Sequence, residues 1–102
     1  MLEEIRNRID KIDDELVRLF TQRLLLVEEV ANKKREENLP VLNADRERQI
    51  ISRLTKDQTD TMAGYIKILF TTIFDLARSH QAKIKDGRTQ FAPTMTLNIP
   101  AK

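Results

Sequence analysis

The feature that most constrains this fold is a line of regularly spaced apolar residues in the first third of the chain. From Leu2 to Val30 they recur at alternating intervals of three and four, which aligns side chains along one face of an α-helix. This line, called the apolar seam below, consists of Leu2, Ile5, Ile9, Ile12, Leu16, Leu19, Leu26 and Val30. Arg23 interrupts it, and no helix breaker appears before Pro40. The pattern predicts one helix from about Leu2 to about Glu37.

A helix of this length is too long for the chain to cover alone. At ~1.5 Å per residue it extends roughly 50 Å, whereas a compact domain of 100 residues has a radius of gyration of about 13 Å. The chain has only 102 residues, and short chains bury a modest share of their surface on folding. The length therefore predicts a homodimer.

Two shorter helices follow. Asn43 is a candidate N-cap after Pro40, and it opens a helix that runs through Leu54 with Glu47 on its apolar face. The polar residues 56–60 end that helix, and a third apolar stripe then predicts a helix of medium length that stops at Gly87. The stripe comprises Met62, Ile66, Leu69, Phe70, Ile73, Phe74, Ala77, Gln81 and Ile84.

The predicted fold class is therefore all-α, with one long, one short and one medium helix in each chain. Residues 1–87 form the predicted helical domain. Residues 88–102 contain two prolines and three threonines without helical period, and they are predicted to be a flexible C-terminal tail.

Composition argues against several classes of protein. The sequence has no cysteine, no apolar run that could span a bilayer and no charged-then-apolar leader at Met1. Its net charge of +2 arises from interleaved charges of both signs, which does not favour binding to nucleic acid. We expect a cytoplasmic protein with neither a membrane nor a nucleic-acid partner.

Arg23 is the strongest local anomaly, because it lies where the apolar seam requires an apolar residue. Burying an unpaired guanidinium is costly, so an anion should meet it. Two explanations remain open: a structural ion pair with Glu47 or another carboxylate, and a small anionic ligand.

Other polar residues lie on or beside apolar faces. Arg6 and Lys34 flank the first stripe, where they either bind a ligand or extend to water. Gln81 continues the inner stripe of the third helix, either as a satisfied core amide or as a ligand donor. Arg46 and Glu47 lie in the first turns of the second helix.

The sequence offers no obvious covalent or metal chemistry. His80 is the only histidine and lacks a second ligand at metal spacing. No glycine-rich phosphate loop and no nucleophile paired with a base can be assembled. We therefore predict neither a metal nor a cofactor.

Taken together, these residues resemble the all-helical chorismate mutases over about Leu2 to Ile84. The resemblance rests on Ile5-Arg6, Ile12-Asp13, Gln22-Arg23, Lys34, Leu39-Pro40-Val41, Asp45-Arg46-Glu47-Arg48 and Gln81. It implies that two chains intertwine through their long first helices, and that each active site takes one arginine from the partner's first helix.

The resemblance also implies the reaction. Chorismate, a dicarboxylate, would be rearranged to prephenate by an intramolecular Claisen shift, a step in the biosynthesis of phenylalanine and tyrosine. Such a shift requires a compact substrate conformer and donors at the ether oxygen, where negative charge grows. It requires no covalent intermediate and no cofactor.

The same resemblance implies a role for each candidate residue. Arg23 and the partner's Arg6 would bind the two carboxylates, and Lys34 would reach a carboxylate and the ether oxygen. Gln81 would be the second donor to that oxygen. Glu47 would hold the ring hydroxyl, with Arg46 framing the same end of the pocket.

Two positions depart from the usual pattern of that family. Asn43 stands where an aspartate is common, so it either accepts from the ring hydroxyl or serves only as a helix cap. Ala77 stands where a serine often contacts a carboxylate, and it leaves room for a water.

The sequence leaves two alternatives to the mutase open. One is an isochorismate pyruvate lyase on the same fold, which needs a similar set of cations. The other is a non-catalytic helical dimerisation or regulatory module, in which Arg23 and Glu47 form a structural pair. Replacing Arg23 by Leu together with Glu47 is tolerated by the module, whereas a ligand role demands loss of binding.

Overall fold

The computed structural model describes residues 1–41 and 43–85, and it contains three helices: α1 (Leu2–Glu36), α2 (Ala44–Thr55) and α3 (Asp60–Lys85). These bounds confirm the predicted all-α class with one long, one short and one medium helix. The predicted stop at Gly87 and the predicted tail, residues 88–102, lie outside the described residues. The chain divides into two units, one with α1 up to Val41 and one with α2 and α3.

A backbone cap ends α1 before Pro40 is reached. The Leu39 N–H donates to the Lys34 carbonyl at 2.8 Å, and the Asn38 N–H donates to the Arg35 carbonyl at 3.1 Å. Asn38 has a φ of 59°, in the left-handed region that asparagine tolerates better than most residues. This pair of hydrogen bonds is a Schellman motif, and it fixes the backbone at the last turn of α1, which contains Lys34.

The apolar seam remains open to solvent in the single chain. All eight of its residues are exposed, with fractions between 46% for Leu19 and 60% for Ile12. The buried residues that the structure gives α1 are Leu24 and Ala31, which lie beside the seam rather than on it. The seam that the sequence predicts as an interface is thus exposed along its length in the single chain, with Arg23 interrupting it.

Side-chain caps set the start of α2 and of α3. The Asn43 side chain accepts a hydrogen bond from the Arg46 N–H at 3.0 Å, as the sequence predicted for an N-cap. The Thr59 hydroxyl accepts from the Met62 N–H at 3.2 Å at the start of α3. Asp45 and Glu47 in the first turn of α2 also favour the positive end of its dipole.

A small core forms in the unit that contains α2 and α3, which contact one another. Its buried residues are Ile50 on α2 and Phe74 and Ala77 on α3. Phe70 packs edge-to-face on Phe74, with ring centroids 6.0 Å apart. This contact between α2 and α3 brings their polar residues to a common face.

Helix α3 carries more apolar surface than its predicted stripe. Met62 and Leu69 belong to that stripe but are 45% and 53% exposed, beside exposed Tyr65, Ile68 and Leu76. The predicted stripe is therefore only partly buried in the single chain. The buried residues cover one side of α3, and the exposed ones form a second apolar side that α2 does not cover.

No helix among the described residues is long and apolar enough to cross a membrane.

Candidate active site

Three candidate residues lie at the start of α2. Asn43 precedes its first turn, and the amide oxygen of Asn43 is engaged by the Arg46 N–H, which supports a role as a cap. The Arg46 side chain is exposed, whereas the Glu47 side chain is only 27% exposed. Glu47 therefore faces inward, as the sequence predicted.

Glu47 is bound by a residue of α3. The Arg78 Nη1 donates to Glu47 Oε2 at 2.6 Å, and the Arg78 Nη2 donates to Asp75 Oδ1 at 2.6 Å. Hydrogen bonds to Asp75 and then to Glu47, together outweighing partial desolvation, raise the pKa of Arg78 above its ordinary value. The guanidinium thus stays charged and links α2 to α3.

Gln81 lies one helical turn beyond Arg78 on α3, about 4.5 Å further along the axis. Its side chain is half-buried. The buried Ala77, one turn before it, lies on the same side of α3. Gln81 therefore lies next to Arg78, the cation that binds Glu47, on the inner side of α3. The side-chain amide of Gln81 forms no hydrogen bond to the described residues.

The remaining candidates, Arg6, Arg23 and Lys34, all lie on α1. Arg6 is exposed, and Arg23 and Lys34 are half-buried. No polar side chain among the described residues is fully buried, and Arg23 is only partly withdrawn from water in the single chain. Leu19 and Leu26, the seam residues before and after Arg23, are themselves exposed.

The geometry of one helix separates these cations into two groups. Arg23 and Lys34 are about three turns apart and lie on the same side, so two long side chains can approach one ligand between them. Arg6 lies about 26 Å from Arg23 along the axis and is rotated by about 100°. Arg6 and Arg23 of the same chain therefore cannot hold one small ligand.

Arg78 is the residue that the sequence analysis missed. It lies beside the inner stripe of α3, and its partner Glu47 is 31 residues away in sequence. A local signal was present, since Asp75, Arg78 and Gln81 follow one another at intervals of three, the spacing of neighbours on a helix.

No group of three or more His, Cys, Asp or Glu side chains with the geometry of a metal site occurs within residues 1–41 and 43–85.

Comparison with known proteins gives a consistent family. The family model described as chorismate mutase type II matches residues 5–82. The chain is 33% identical over 63 residues to a bifunctional chorismate mutase/prephenate dehydratase of Aquifex aeolicus, and 36% identical over 55 residues to a chorismate mutase of Methanocaldococcus jannaschii. It is 41% identical over 46 residues to the T-protein of Haemophilus influenzae.

These matches cover 62%, 54% and 45% of this chain, and 17%, 56% and 12% of the respective relatives. No solved structure matches the chain significantly. The family match is the broadest of these findings, since residues 5–82 include every candidate site residue from Arg6 to Gln81. The chain belongs to the chorismate mutase type II family.

Proposed function

We propose that this protein is a chorismate mutase, an isomerase that converts chorismate to prephenate in the biosynthesis of phenylalanine and tyrosine. The observation that carries the proposal is the family match over residues 5–82, which spans all seven candidate positions. The names of two relatives include the same activity.

The proposed reaction asks little covalent chemistry of the protein. The substrate rearranges within itself, so the residues need only hold a compact conformer and stabilise the charge that grows on the ether oxygen. Arg23 and Lys34 would bind anionic groups of chorismate, and Lys34 and Gln81 would donate to the ether oxygen. Glu47 would accept from the ring hydroxyl, near Arg46.

The proposed active form is an intertwined homodimer with two shared sites. Burying the exposed half of each seam residue would contribute about half of the ~1.5–3 kcal/mol that a fully buried side chain of this size contributes. Over eight residues the sum is on the order of 10 kcal/mol per chain, comparable with the whole unfolding free energy of a domain, ~5–15 kcal/mol. A second copy of the chain has an identical seam and can therefore bury this surface by symmetric pairing.

The second copy also completes the site. Because Arg6 and Arg23 of one α1 are about 26 Å apart along the axis, the two arginines that would bind one chorismate must come from different chains. Arg6 of the partner chain would then meet Arg23 of the first.

The direct test is the ultraviolet absorbance of chorismate after addition of purified protein, with prephenate identified as the product. A mutase consumes chorismate and leaves isochorismate unchanged. Release of pyruvate from isochorismate without prephenate would assign the protein to the lyase instead, and inactivity on both would favour a non-catalytic module.

A further inference from the structure

The ion pair between Glu47 and Arg78 differs from other ion pairs in this chain. Arg18–Glu15, Lys33–Glu37 and Arg48–Asp45 each join residues three or four apart on one helix, with at least half of every side chain exposed. Arg78 and Glu47 instead join α3 to α2, with side chains 40% and 27% exposed. Partial withdrawal from water strengthens such a contact.

The contact occupies only one oxygen of the Glu47 carboxylate. Arg78 donates to Oε2, while Oε1 forms no hydrogen bond with the residues that the structure describes. Asp75 holds the other Nη of Arg78 at 2.6 Å. The carboxylate is therefore fixed through one oxygen, and its second oxygen is available as an acceptor.

We propose that Arg78 is a positioning residue, which holds the Glu47 carboxylate so that Oε1 accepts a hydrogen bond from the ring hydroxyl of the substrate. Asp75 supports it by fixing the guanidinium from the opposite side. This inference rests on the proposed function, and it adds a pair of residues, Asp75 and Arg78, to those that determine substrate recognition.

A positioning role predicts a specific kinetic signature. The ring hydroxyl takes no part in the bond changes, so its contact with Glu47 has the same strength in the ground state and in the transition state. Losing such a contact raises KM and leaves kcat nearly unchanged. If Arg78 only joined α2 to α3, its loss would lower the unfolding temperature without this selective effect on KM.

The experiment measures KM and kcat for chorismate with Arg78→Met, which retains a long side chain but cannot donate. We expect KM to rise about tenfold or more, the scale for a lost hydrogen bond to a charged group, with kcat within about twofold of the wild type. Arg78→Lys should recover part of the affinity, because one ammonium can still bind Oε2. Arg48→Met, which removes an exposed cation from α2, is the matched control and should leave KM unchanged.

A double-mutant cycle identifies the route of the effect. In a Glu47→Ala background, Arg78→Met should no longer change KM, because the carboxylate that it positions is absent. An inhibitor analogue of chorismate with hydrogen in place of the ring hydroxyl should bind the wild type and Arg78→Met equally. An unchanged KM in Arg78→Met, or effects that add fully in the Glu47→Ala background, would overturn the inference.

Asp75→Asn keeps the test decisive if Arg78→Met fails to fold. Asp75 is exposed, so its replacement should be tolerated. KM should rise about twofold to threefold, because the charged anchor of Arg78 becomes a weaker, neutral acceptor. With Arg78→Met unfolded, unchanged KM values in both Asp75→Asn and Arg78→Lys would overturn the inference. If the wild-type protein does not convert chorismate, the proposed function and the inference fail together. If the wild type is active, the variants test the inference by itself.

Discussion

The apolar seam of α1 and the pair formed by α2 and α3 use their apolar residues in opposite ways. Ile50, Phe74 and Ala77 are 7%, 5% and 8% exposed, because α2 and α3 cover one another within the chain. The eight seam residues of α1 remain about half exposed. The α2–α3 pair therefore buries a small core within one chain, and the seam does not.

The same difference applies to the candidate site residues. Glu47 forms an ion-pair network with Arg78 and Asp75 within one chain, and Gln81 lies beside this network. Arg6 stands on the most exposed part of α1, where every described residue from 1 to 19 is exposed. One chain thus assembles the Glu47–Arg78 pair, where the hydroxyl end of the proposed site would lie. Arg6 would require a second chain to reach the same site, if it binds a carboxylate as we propose.

The largest expected effect comes from placing a charge on the apolar seam. Ile9→Asp should abolish the folded dimer and its activity, because the two-fold symmetry buries two unpaired carboxylates in the interface. Sedimentation equilibrium and far-ultraviolet circular dichroism measure the effect. Leu25→Asp is the control, since Leu25 is similarly exposed, at 44%, but lies on the opposite side of α1. A fully dimeric Ile9→Asp protein would contradict the assignment of the seam.

The next largest effect concerns Gln81, which belongs to the α2–α3 pair that one chain assembles. If it donates to the ether oxygen as charge develops there, Gln81→Ala should lower kcat about 10²-fold and leave the dimer folded. Gln81→Glu can donate only when protonated, so it should be slow at neutral pH and recover as the pH falls. The native amide does not titrate and should show no such acid-side gain.

Rates measured from pH 5 to pH 8 test this assignment. Gln49→Glu introduces the same chemical change at an exposed position of α2 and should leave the pH profile of the wild type unchanged. Full turnover of Gln81→Glu at pH 8, with the fold intact, would make Gln81 a packing residue.

The smallest effect concerns the cap of α1, a feature that one chain forms without a partner. Asn38→Val should cost about 1–2 kcal/mol, because a β-branched residue is strained at the positive φ of this position. Asn38→Gly should be tolerated. Urea unfolding at several protein concentrations measures both: the midpoint should rise with concentration, while the difference between variants stays constant. A Val variant as stable as the Gly variant would refute the cap.

Apart from the end of α3, whose predicted stop lies outside the described residues, the sequence predicted the helix boundaries within about two residues. Periodicity and caps are local properties. Asn43 was predicted to cap the start of α2, and the observed hydrogen bond from the Arg46 N–H confirms this cap. The end of α1 was predicted at about Glu37, and the helix ends at Glu36. The left-handed conformation of Asn38, which turns the backbone there, was not predicted. Such a cap depends on a single φ angle, which periodicity does not report.

The site was less accessible to sequence reasoning. Arg78 lies beside the inner stripe, and its partner is 31 residues away, so only the packing of α3 on α2 reveals the contact. Met62 and Leu69 were assigned to the inner stripe because periodicity does not distinguish a face buried by the chain's own helix from one left open. The spacing of residues in the sequence therefore could not predict interactions that depend on how the helices are placed relative to one another.

Complementation between two inactive variants tests the central claim most directly. Arg6→Ala and Arg23→Ala proteins, each inactive alone, are unfolded together and refolded, and native mass spectrometry confirms that mixed dimers form. If each site combines Arg6 of one chain with Arg23 of the other, about a quarter of all sites should regain both arginines, because random pairing makes half of the dimers mixed and each mixed dimer has one intact site of two. The account predicts recovery of about a quarter of the wild-type activity, and mixed dimers that remain inactive would contradict it.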